Sequence, residues 1–153
     1  MKLQKALKLR KKLIGEIAQL KTRIQEKNSY TEGSLDAEKY NVPKLYKELQ
    51  DKIDELVGLK YAINEANREI QSKIYVLSET KALIAFWKDV PVKEGKHQVG
   101  YSEVADREYK AQIDEQTRNQ MIEEFQSKVD AIQEEIDTYN YTTEIPWGEE
   151  PQA

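Results

Sequence analysis

The sequence predicts an all-α protein, and three observations carry that expectation. Apolar residues recur every three or four positions over three long segments, Asp, Glu and Lys fill the remaining faces of those segments, and turn-forming residues gather between them. The architecture expected is an elongated antiparallel helical hairpin or four-helix bundle with coiled-coil character, broken by a short irregular or hairpin insert near 90–105. Residues 1–147 are expected to form a single helical domain and 148–153 a flexible C-terminal tail.

Each element has its own justification. Residues 2–27, KLQKALKLRKKLIGEIAQLKTRIQEK, place Leu3, Leu7, Leu13, Ile14, Ile17, Leu20 and Ile24 close to a helical stripe, with Arg10 standing where the stripe calls for a hydrophobe. Asn28, Ser29 and Gly33 end that helix, and Pro43 suits the first turn of the next. From Lys44 to about Asn67, Leu45, Leu49, Ile53, Leu56, Leu59, Ile63 and Ala66 again step by three or four. The run IQSKIYVLSE mixes β-branched and aromatic residues, so a break is expected between about Asn67 and Leu77, the alternative being a helix that runs straight through Asn67. Ser78 would then cap a short helix over 79–89, closed by Pro91. The Pro-interrupted alternation of Val90, Val92, Val99 and Tyr101 suits a loop or small hairpin. A last helix is expected from Asp106 to about Thr138, carrying Tyr109, Ile113, Met121, Ile122, Phe125, Val129, Ile132 and Ile136, followed by an extended tail. Asn67 and Asn140 each follow an Ile by three or four residues and read as left-handed helix C-caps.

Composition excludes several chemistries. The 153-residue chain has no Cys, which removes thiol nucleophiles, disulfides and Cys-ligated metals. Its single His, His97, lies in the charged loop KEGKHQVG and reads as an exposed residue; one imidazole cannot build the Glu-x-x-His pairs of a di-iron bundle. Neither a phosphate-cradling glycine motif nor a nucleophile elbow is present. Carboxylate pairs such as Asp51 with Glu55 or Asp130 with Glu134 are expected by chance in so acidic a chain. No catalytic, cofactor-binding or metal-ligating residue is nominated, and no cofactor is expected. The longest apolar run is too short to span a bilayer, and the lysine-rich start lacks the apolar core of a signal peptide, so a cytoplasmic location is expected.

The charge distribution is more informative. The net charge is −4, yet residues 1–27 hold nine Lys/Arg against two Glu, while residues 103–153 hold four basic against fourteen acidic residues. Opposite poles of this kind suit a basic helix set beside an acidic one, within a bundle or between subunits, where they select register and partner. The alternative is that the basic helix 2–27, with Lys8, Arg10, Lys11 and Lys12, meets an anionic membrane or a nucleic acid. Aromatic residues supply the other candidates. Phe86 and Trp87 are adjacent and cannot share one narrow helix face, and Trp87, Tyr139, Tyr141 and Trp147 are nominated as interface anchors. The function expected is structural or interactive, with self-association into a homo-oligomer or docking on a protein partner. An enzyme with an acidic site assembled between subunits is the third reading.

The opening MKLQKALKLRKKLIGEIAQLKTRI, the second-helix ending YAINEAN, the following VLSETKALIAFW and the closing IQEEIDTYNYTTEI together resemble the DIP1984 family of small bacterial proteins. That family shows a similar leucine- and basic-rich start, an I-N-x-x-N ending to its second helix, and an I-Q-x-x-N-[WY]-x-T-x-[LI] close. The resemblance covers about residues 1–145. It implies an all-helical fold and a bacterial source. It assigns no catalysis, although some members carry a septicolysin label.

Overall fold

A computed structural model describes residues 1–97 and 107–148. The all-α expectation holds: four long helices, α1 (Leu3–Lys27), α3 (Val42–Asn67), α4 (Gln71–Asp89) and α5 (Glu115–Thr142), are accompanied by a single turn α2 (Asp36–Lys39) and a two-stranded hairpin, β1 (Gly95–His97) with β2 (Arg107–Tyr109). The chain groups into two compact units, one of Met1–Glu69 with the residues from Thr138 onward, the other of Ile70–Asp137.

In the first unit α1 and α3 form an antiparallel hairpin. The start of α3 is set by Asn41, whose side-chain oxygen accepts from the Lys44 backbone N–H at 3.1 Å, and by Pro43 in the first turn. α1 buries Leu3, Ala6, Leu13, Ile17 and Leu20, and α3 answers with Leu49, Leu56, Leu59 and Ile63. Leu3 and Leu59 are the largest side chains removed entirely from solvent. Midway along the seam Lys52 Nζ donates to Glu16 Oε2 at 2.8 Å. At the loop end the Lys27 ammonium lies 4.9 Å from the Tyr40 ring centroid.

The second unit pairs α4 with α5, also antiparallel: Lys73 at the start of α4 makes an ion pair with Glu135 near the end of α5, and Arg118 Nη1 near the start of α5 donates to the Val90 carbonyl at 3.3 Å. Ile84, Val129 and Ile136 are buried. The insert between them is a hairpin, with Gly95 opposite Tyr109 and His97 opposite Arg107. Gly95, at φ +83°, opens it in a conformation that other residues rarely adopt.

Several boundaries differ from expectation. α4 begins at Gln71, so the break is confined to the turn at 68–70 and Ser78 is a helix-interior residue rather than a cap. β-branched residues disfavour a helix by only tenths of a kcal/mol each, which the ion pair and burial along α4 override. Thr80, 4% exposed, shows the accommodation: its hydroxyl donates to the Val76 carbonyl one turn back at 2.6 Å. α5 starts at Glu115, where Asp114 Oδ1 accepts from the Thr117 N–H at 2.7 Å, and Tyr109 belongs to β2 instead. Hydrogen bonding from the Thr117 side chain, and then from its backbone N–H, holds the Asp114 carboxyl below its ordinary pKa. At its other end α5 continues past Thr138 to Thr142, placing Asn140 inside the helix; neither Asn67 nor Asn140 is left-handed. The expectations for Val99 and Tyr101, and for residues 149–153 of the tail, lie outside the described residues, as does the side chain of His97.

Leu59→Ala is expected to cost about 2–5 kcal/mol in urea unfolding, the range for an aliphatic side chain cut back in a closed core. Val57→Ala, two residues away but 61% exposed, should stay within about 0.5 kcal/mol of the wild type. Equal losses for the two would contradict the assignment of the α3 core face.

Candidate ligand-binding groove

Residues 143–147, which follow α5, do not trail into solvent. Thr143 to Trp147 run back along the start of α1: the Leu3 N–H donates to the Thr143 carbonyl at 2.8 Å, the Ile145 N–H to the Met1 carbonyl at 2.8 Å, and the Met1 nitrogen to the Ile145 carbonyl at 3.0 Å. Lys2 and Glu144 form an antiparallel bridge, and their side chains meet at 3.0 Å. Ile145, 2% exposed, joins the α1–α3 core.

This docked segment, the C-terminal half of α3 and the end of α5 enclose an open groove of about 680 Å³ within the first unit, inside the range of small-ligand sites. Its floor is made possible by small residues. Gly58, Ala62 and Ala66 follow at intervals of four along α3, and the Trp147 indole lies so close to Gly58 that a Cβ there would stand 2.9 Å from Trp147 Cη2. Tyr139 is fixed from the α5 side, its hydroxyl donating to the Ala66 carbonyl at 2.6 Å. Tyr61, Ile145 and Pro146 complete the apolar wall, and Glu65, Glu69 and Glu144 stand among the lining residues.

The rim is negatively charged but partly compensated. The Lys2 ammonium, hydrogen-bonded to Glu144, holds that carboxyl below the ordinary carboxylate range, and Glu65 receives Arg68 Nη1 at 3.1 Å. Glu69 is exposed and makes no ion pair among the described residues. Among the described residues no group of three or more His, Asp or Glu converges to hold a metal ion.

The nominated aromatic residues separate. Tyr139 and Trp147 meet at the groove, Tyr141 projects from α5 with 68% of its surface exposed, and Trp87 belongs to the second unit. There Trp87 is half-buried while Phe86 is 57% exposed, their rings edge to face at 5.3 Å, so one of the adjacent pair does leave the seam. The basic residues also divide. Lys8, Lys11 and Lys12 are exposed, but at about 100° per residue Arg10 falls on the opposite, core side of α1 and is half-buried. Lys12 reaches Glu16 at 3.6 Å. The four nominated cations are therefore not one face; Lys5 is the fourth member of the exposed set with Lys8, Lys11 and Lys12. Sequence reasoning missed Gly58, Tyr61, Ala62, Glu65, Ala66 and Glu69, for which the four-residue spacing of small side chains was the available signal.

The geometry defines a helical-hairpin protein with an open, largely apolar groove closed by a docked terminal segment. No family model, curated protein or solved structure matches the chain. No described helix is long and apolar enough to cross a membrane.

Two outcomes follow from the groove. Because the folded pKa of Glu144 lies below its unfolded value near 4.3, its contribution to stability is complete above about pH 4.3 and is lost as the pH falls through the folded value. Melting temperatures from neutral pH into acid should fall less for Glu144→Gln than for the wild type; parallel curves would contradict the Lys2 contact. Gly58→Ala should shift Trp147 fluorescence by displacing the indole, while the better helix propensity of Ala keeps the net stability change within about 1 kcal/mol.

Proposed function

We propose that the protein is a helical interaction module that associates with a second copy of itself through helix faces left open in the single chain. The observation that carries this reading is a second apolar stripe on α3. Tyr46, Ile53 and Val57, 53%, 36% and 61% exposed, recur at helical spacing along the flank of α3 beside its core residues. α4 repeats the arrangement in the other unit with Tyr75, Val76, Leu83 and Phe86, all exposed. A second copy is favoured as the occupant by charge complementarity. The exposed lysines of α1 and the exposed carboxylates Glu123, Glu124, Asp130 and Glu134 of α5 give each chain a basic and an acidic helix to exchange with its partner. Coiled-coil packing and membership of the DIP1984 family, which rests on the residues quoted above, belong to the same reading.

The exposed set Lys5, Lys8, Lys11 and Lys12 supports a second reading, binding to an anionic membrane or nucleic acid.

Light scattering behind size exclusion, at low and high salt, tests the first reading. A stable oligomer that dissociates on Val57→Lys or Leu83→Glu is expected, with mass falling in high salt if the opposed helices contribute. A monomer at every concentration and salt overturns it. In that case salt-sensitive binding to anionic vesicles or DNA, lost when Lys5, Lys8, Lys11 and Lys12 are neutralised together, would favour the second.

A further inference from the structure

We propose that the groove walled by Tyr61, Tyr139 and Trp147 binds a small organic cation, an ammonium compound bearing an aromatic or alkyl body. The argument begins with what lines it. Among the described residues three carboxylates contribute and no Lys, Arg or His does, so that lining offers charged acceptors and no charged donor. A neutral apolar ligand would leave this field unused, and an anion would oppose it.

The backbone adds to the same sign. The groove sits at the C-terminal ends of α3 and α5, where helix dipoles are negative, and neither helix has a basic residue in its last turn to offset them. Lys2 meets one carbonyl at the α5 end, Thr142 O, at 3.1 Å, and spends the rest of its charge on Glu144. At the α3 end the C-cap residue Arg68 is itself a cation, but its guanidinium is engaged by Glu65, and Glu69 just beyond it makes no ion pair among the described residues.

The aromatic side chains make an ammonium group a better fit than a metal ion. Tyr139 is pinned through its hydroxyl and Trp147 through its seat on Gly58, so two ring systems are held in place before any ligand arrives. Ring faces attract cations most strongly when the charge is diffuse and weakly hydrated, as in a quaternary ammonium, and the apolar wall of Ile145 and Pro146 accommodates its carbon substituents. This site is independent of self-association, because Glu69 and Gly58 lie outside the apolar stripes assigned to the second copy.

The test uses the full chain with Trp87→Phe, leaving Trp147 as its one indole, titrated with benzyltrimethylammonium and followed by Trp147 fluorescence and calorimetry. Benzyl alcohol and benzoate serve as the neutral and anionic comparators. Saturable binding of the cation is expected, about tenfold tighter than that of benzyl alcohol, with benzoate weakest. Glu69→Gln should weaken the cation by about threefold, and Gly58→Ala, acting on the floor beneath Trp147, should weaken both cation and alcohol. Absence of saturation, equal affinity for cation and alcohol, or a selective affinity that neither variant alters would each overturn the proposal. Circular dichroism of both variants confirms that the helices are retained.

Discussion

The first unit depends on burial at the end of the α1–α3 hairpin, where Leu3, Leu59 and Ile145 exclude water together. Two helices packed through aliphatic stripes have one direction of weakness, the open ends of the seam, where side chains have neighbours on one side only. Here the end that joins the start of α1 to the second half of α3 is closed by a segment from far along the chain. Backbone bonds from Leu3 and Ile145 hold that segment in register, so the hydrophobic contact of Ile145 is made without leaving those amide groups unpaired.

The groove is a by-product of that closure. Once Ile145 enters the core, Pro146 and Trp147 are carried across α3, and the indole needs a helix surface with no side chain in its way. Gly58 provides it, at the expense of helix propensity, which is why a glycine is tolerated inside a long helix. Ala62 and Ala66 keep the adjoining surface low, and Tyr139 reaches the Ala66 carbonyl across it. A wall of aromatic and apolar groups thus stands over the C-terminal end of α3, beside carboxylates that ordinary surface solubility would place there in any case.

The second unit distributes its apolar residues differently. α4 buries Thr80 and Ile84 but leaves Tyr75, Val76, Leu83 and Phe86 in contact with solvent, so its hydrophobic surface exceeds what one partner helix covers. α3 shows the same excess. Helices with more than one apolar face are economical only when a second surface is available, which is the physical basis for reading these faces as places of association.

Helix periodicity made the long elements legible in the sequence, because each stripe is a local pattern that any partner of the right shape satisfies. Pro43 marked the start of α3 for the same reason, because a proline fits the first turn of a helix whatever packs against it. The Asn41 cap came to light only in the structure. The start of α4 was not legible, since the β-branched run before Leu77 argues locally against a helix that long-range contacts then impose. Arg10 was visible as an interruption of the stripe, yet only packing shows it facing the seam while Lys8, Lys11 and Lys12 face solvent. The candidate site was legible only in part: Tyr139 and Trp147 stood out by composition, whereas the return of residues 143–147 to the start of α1 joins positions more than a hundred residues apart. Such a contact leaves no periodic trace in the sequence, because it is selected by the fit of Ile145 and Trp147 to a surface that exists only after α1 and α3 have paired.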